Sequence, residues 1–151
     1  MIKKVLLTCL ILIFAVASRQ STSYAASTDG VSTQKYSYNC SDSSSVCVAV
    51  QLAYGDSAGY SPDMTIPYGA NVLINGTTFP DSKFNMRFYL IDNSTGLVVP
   101  GTTINAGPFG DGRAISWRAT KTGSYKVRAL CFGNDPSYQC EGEGKADYTR
   151  Q

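Results

Sequence analysis

The chain contains no histidine, and that absence removes more chemistry than any other feature of its 151 residues. Without imidazole there is no Ser-His-Asp or Cys-His nucleophile, and no ordinary acid or base poised near neutral pH. Charge is also sparse, with Asp, Glu, Lys and Arg at 16%. There is no phosphate-cradling loop either. The run Gly107-Pro108-Phe109-Gly110-Asp111-Gly112 is rich in glycine but holds a proline and lacks the lysine–serine ending of a P-loop. Only one long apolar run occurs, from Val5 to Ala17, which is 13 residues. A spanning helix needs about 20, so no membrane span is expected.

That apolar run follows Lys3 and Lys4, and Ser23-Tyr24-Ala25 places small residues at the −3 and −1 positions of a cleavage site. Residues 1–25 therefore read as a signal peptide that is cleaved, residues 26–34 as a small, polar N-terminal lead, and residues 35–151 as one domain. Removing Lys3, Lys4 and Arg19 leaves ten cations against eleven carboxylates, a net charge of −1 instead of +2. Nucleic acid is not the expected partner on that balance. The short basic start and alanine site suit a bacterium, so Asn39-Cys40-Ser41, Asn75-Gly76-Thr77 and Asn93-Ser94-Thr95 are read as turn and strand residues instead of glycosylation sites.

Cys9 falls within the leader, where its place ahead of most of the apolar run argues against lipidation. Four cysteines remain, Cys40, Cys47, Cys131 and Cys140, an even number in an exported chain and hence two disulfides. Each close pair flanks a loop-like stretch, which favours Cys40–Cys47 and Cys131–Cys140 as two hairpin staples. Crossed pairings such as Cys40–Cys140 or Cys40–Cys131 stay open. Zinc does not suit the set, because structural sites use two to four intervening residues and these pairs have six and eight.

The rest of the chain alternates in the manner of strands. Val46, Val48, Val50, Leu52 and Tyr54 take every second position, as do Phe84, Met86, Phe88 and Leu90, then Ile115, Trp117 and Ala119, then Tyr125, Val127, Ala129 and Cys131. The spacing predicts strands near 35–40, 46–54, 70–76, 84–91, 97–103, 113–119, 124–132 and 138–148, with Asn93-Ser94-Thr95-Gly96 as a hairpin loop. Alternate positions Ser124, Lys126, Arg128 and Leu130 make one face of the penultimate long strand largely wet. Seven or eight short antiparallel strands with regular turns predict an all-β sandwich.

Over residues 70–132 the chain resembles bacterial immunoglobulin-like domains. The resemblance lies in Val72-Leu73-Ile74-Asn75-Gly76, Phe79-Pro80, Phe88-Tyr89-Leu90-Ile91-Asp92 with Thr95-Gly96, and Thr122-Gly123-Ser124-Tyr125-Lys126-Val127. It departs from that pattern at Val127, where the inter-sheet bridge would need a cysteine, and at Trp117, which falls late for the usual buried tryptophan. The resemblance implies an immunoglobulin-like antiparallel sandwich in which Tyr125 is the corner tyrosine. It also implies that strand 84–91 lies beside strand 124–132.

Under that implied adjacency Arg87 and Tyr89 share an outer face with Lys126 and Arg128, a surface suited to an anionic polymer by charge and stacking. Neutralisation of those cations by Glu141 and Glu143 from a neighbouring strand is the blander expectation. Tyr60 and Tyr68, in the loop between Gly55 and Gly69, are further binding candidates, as is Phe109 in its own glycine-rich loop. The eleven carboxylates mostly stand beside Gly, Ser, Asn or Pro, as turn residues do. No catalytic residue, metal ligand or cofactor is assigned. The expected function is a secreted, non-enzymatic module that binds a cell-surface polymer or protein. The alternative is an inhibitor of an exported hydrolase acting through the disulfide-clamped loop 132–139.

Overall fold

Alternating apolar residues demand a second surface to bury them, and here two antiparallel sheets bury each other. A computed structural model describes residues 40, 45–132 and 139–149. Among them are ten strands and no helix: β1 (Ser45–Leu52), β2 (Ala58–Tyr60), β3 (Met64–Ile66), β4 (Asn71–Thr78), β5 (Met86–Asp92), β6 (Leu97–Val98), β7 (Ile104–Ala106), β8 (Gly112–Arg118), β9 (Gly123–Cys131) and β10 (Gly142–Thr149). One sheet runs β1-β10-β4-β8. The other runs β2-β9-β5-β6, with β3 also pairing β9 and β7 also pairing β5.

The all-β sandwich is thus as expected, and so is the adjacency implied by the immunoglobulin-like reading, β5 with β9; in the other sheet β4 pairs with β8. The last strand differs. In the immunoglobulin order it would lie beside β9, whereas β10 crosses to the other sheet and inserts between β1 and β4.

Val50, Leu52, Ile74, Phe88, Leu90, Tyr125 and Val127 form the centre of the core. Tyr125 is 1% exposed, and its hydroxyl donates to the Lys121 carbonyl at 3.4 Å, the local return expected of a corner tyrosine. Its ring meets Trp117 edge-on at 5.7 Å.

Both disulfides join the expected partners, Cys40 to Cys47 and Cys131 to Cys140, with Cα separations of 5.4 and 5.6 Å. The second is not a hairpin staple, because β9 and β10 belong to different sheets; it ties the two sheets together at one end. The expected strand at 35–40 lies outside the described residues save Cys40, which is in no strand. Of the expected strand at 97–103 only β6 (Leu97–Val98) forms, and β7 begins beyond it at Ile104. The stretch 55–69, expected as a loop, contains β2 and β3. These are three residues each, too short to declare a period, and Ser61 between them anchors to β9 by exchanging hydrogen bonds with Val127.

Asp92, at the β5–β6 hairpin, shows the turn role expected of the carboxylates. Lys121 lies 2.6 Å away, and the Ser94 amide and hydroxyl both donate to it. The Lys121 bond and the Ser94 hydroxyl are the leading causes that lower its pKa from 3.8 to about 2. A depressed carboxylate contributes stability that is complete above its unfolded value and is lost as pH falls through the folded one. Acid unfolding should therefore lose an increment between about pH 4 and 2. Asp92→Asn should be less stable at neutral pH and should lack that increment; an unchanged acid profile in urea titrations would contradict the assignment.

Candidate functional site

The outer face of the β2-β9-β5 layer is built by register. Tyr60 stands opposite Arg128, which stands opposite Tyr89; Arg87 stands opposite Leu130, and Lys126 opposite Ile91. Because side chains alternate, the residues of these pairs project to one side. Arg87, Tyr89, Lys126, Arg128 and Tyr60 are therefore one cluster. Tyr60 reaches it because β2 pairs with β9, not by belonging to a loop.

Cations and rings interleave across this face. The Arg128 guanidinium lies 5.2 Å from the Tyr60 ring centre and 6.0 Å from that of Tyr89, and the Lys126 ammonium lies 5.1 Å from Tyr60. Arg87 lies 4.0 Å over the Phe132 ring, while its Nε donates to Asn105 Oδ1 at 2.8 Å. Such contacts hold long cationic side chains against the sheet. Tyr89 is only 6% exposed, so it serves as a floor, while Phe132 is 46% exposed. Lys126, Arg128 and Arg87 are half-buried, so the face is less wet than alternation implies.

The expected neutralisation does not occur. Glu143 projects from β10 in the other sheet, between Gln51 and Thr77, and Glu141 directly precedes that strand. Among the described residues the ion pairs are Arg113–Asp111 and Lys121–Asp92, neither of which touches this face. Arg128 Nε is buried with no hydrogen-bond partner among the described residues. Burial raises the pKa of Glu143, against the opposing influence of Lys145.

Tyr68 is not part of the cluster. It is 75% exposed on the turn between β3 and β4, where its amide donates to Thr122 Oγ1. Phe109 is 70% exposed at another loop with φ 61°, held by its amide bonding the Ser82 carbonyl at 3.0 Å. Asp111 braces that loop by accepting from the Gly107 amide at 2.7 Å and from Arg113 Nε at 3.0 Å, and the same two contacts lower its pKa. In the clamped segment 132–139, residues 133–138 lie outside the described residues.

Phe132 and Asn105 escaped the sequence reading. Phe132 had a signal, since it continues the outward series 126, 128, 130. Asn105 had none, because its contact depends on β7 folding back beside β5.

No protein-family model and no curated protein matches the chain. A solved structure with some likeness is the pre-peptidase C-terminal domain of a collagenase from Bacillus anthracis. It superposes with a TM-score of 0.40 at 12% identity, covering 69% of this chain and 86% of that one. Similarity of that size carries no inference about ligand or activity.

Proposed function

We propose that the protein is a secreted, non-enzymatic binding module whose ligand is an anionic surface polymer, held on the outer face of β9 and β5. The observation that carries this reading is the trio Arg87, Lys126 and Arg128, interleaved with Tyr60, Tyr89 and Phe132 and without a carboxylate partner among the described residues. Two arginines suit phosphate or carboxylate groups because each guanidinium presents a fork of donors. The rings hold the cations against the sheet, which limits the side-chain entropy lost on binding. The two disulfides support an oxidising compartment.

The test is titration against purified teichoic acid, inorganic polyphosphate and hyaluronan at several salt concentrations, comparing the wild type with Arg87→Gln/Lys126→Gln/Arg128→Gln. At least one polyanion should bind the wild type, and its affinity should fall more than tenfold in the triple variant. Losing three ionic contacts should flatten the log–log salt slope by about 2–3. Equal binding by the variant, or no binding of any of the three polymers, would overturn the reading.

A further inference from the structure

The outer face of the sheet β1-β10-β4-β8, which is not the face of the three cations, has a hollow that its register explains. Lys145 of β10 stands opposite Asn75 of β4, which stands opposite Ala114 of β8; Glu143, Thr77 and Gly112 form the neighbouring row. The alternate residues Gly76 and Gly144 turn inward against Phe88, so both rows project outward. Outward side chains shorten from β10 to β8, and the surface sinks with them into a cavity of about 450 Å³. Ligand pockets span about 300–1,000 Å³. A Cβ at Gly112 would come within 2.8 Å of Thr77 Oγ1, so the glycine keeps space beside that hydroxyl.

The lining is polar and its charges balance. Glu143 is offset by Lys145, and Arg113 at the edge by Asp111 at 3.0 Å. Neither an anionic nor a cationic ligand is selected, and Ala114 is the one apolar side chain among the described lining residues, which does not suit hydrocarbon. What the hollow offers is a mixture of donors and acceptors: ammonium, carboxylate, amide and hydroxyl. Asn75 Nδ2 is buried with no hydrogen-bond partner among the described residues, a donor that the fold leaves unused. A second observation lies at the Gly112 end. The loop entering β8 holds Phe109 at φ 61°, a left-handed conformation unfavourable for a bulky residue, with the side chain 70% exposed. Thr78, next to the lining Thr77, fastens that loop by donating to the carbonyls of Gly107 at 2.6 Å and Asp111 at 3.0 Å. Strain kept for an exposed ring improves no packing and points to function.

We propose that this hollow binds a neutral oligosaccharide, with one sugar ring seated among Asn75, Thr77, Glu143 and Lys145 and the next against Phe109. A sugar hydroxyl both donates and accepts, so one ring meets carboxylate, ammonium and amide together. The C–H face of the next ring suits an exposed aromatic side chain. The site is separate from the cationic face and does not depend on the function proposed for it.

The experiment is an amide-resolved NMR titration of the oxidised protein with maltohexaose, cellohexaose, chitohexaose and mannohexaose. At least one glycan should shift the amides of Asn75, Ala114 and Glu143 and leave those of Arg87 and Arg128 unmoved. Ala114→Leu fills the hollow from an exposed position and should weaken that binding about tenfold, while titrations with polyanions stay unchanged. Phe109→Asn relieves the left-handed strain, so stability in urea should hold or rise while glycan affinity falls about fivefold. Shifts from none of the glycans, shifts confined to β5 and β9, or full affinity in Ala114→Leu would overturn the site. Full affinity in Phe109→Asn would overturn the role of the ring.

Discussion

Gly144→Ala is expected to destabilise the domain by about 1–3 kcal/mol, the usual cost of overpacking a filled core. Gly144 of β10 stands directly opposite Gly76 of β4, and the ring of Phe88, from the other sheet, lies over both. A Cβ at either position would overlap that ring, which is fully buried. Gly142, two residues along β10, is similarly close to Met86 and the Thr77 carbonyl. The missing side chains are therefore what let the two sheets approach around Phe88. Phe88→Ala alone should cost about 3–5 kcal/mol through the cavity it leaves. The sharper measurement is a double-mutant cycle in urea. Phe88→Leu combined with Gly144→Ala should cost clearly less than the two single changes together, because the smaller side chain relieves the overlap. Strict additivity would mean that the ring and the glycine do not meet.

Replacing Cys131 and Cys140 together by alanine should cost about 2.5 kcal/mol on the loop-closure model, given their separation of nine residues. The bond closes the path between β9 in one sheet and β10 in the other, so its removal frees the end of the sandwich from which Phe132 is presented. Unfolding of the oxidised protein, the reduced protein and the double variant in urea measures the effect. Peptide mapping without reductant checks the pairing, and a Cys40–Cys131 or Cys40–Cys140 peptide would contradict it. The Cys40–Cys47 bond spans a similar length, yet Cys47 is only half-buried whereas Cys140 is fully buried. Loss of Cys131–Cys140 should therefore be the more damaging of the two.

Much of the candidate site is legible in the sequence, since Arg87, Tyr89, Lys126 and Arg128 follow from a two-residue period and one adjacency. Tyr60 is a candidate as a loop tyrosine, but loop membership is not what places it. It joins the face through β2, a strand of three residues held by β9 and by Ser61. Tyr68 is close to Tyr60 along the chain, yet β3 intervenes and carries it to the end of the sandwich.

The amino-acid sequence by itself determined which side of β1, β5, β8 and β9 faces inward, because alternation is a local property that survives any choice of neighbour. It favoured the cysteine partners over the crossed pairings, and the resemblance implied the role of Tyr125, each contact closing over a few residues. Only the tertiary structure decided which strands stand side by side. A period of two identifies a face and is silent about the strand beyond it. β10 enters the sheet of β1 and β4, where Gly142, Gly144 and Gly76 make room for Met86 and Phe88. That placement carries Glu143 to the other sheet and leaves the three cations on β5 and β9 without the partner that local patterning had offered them.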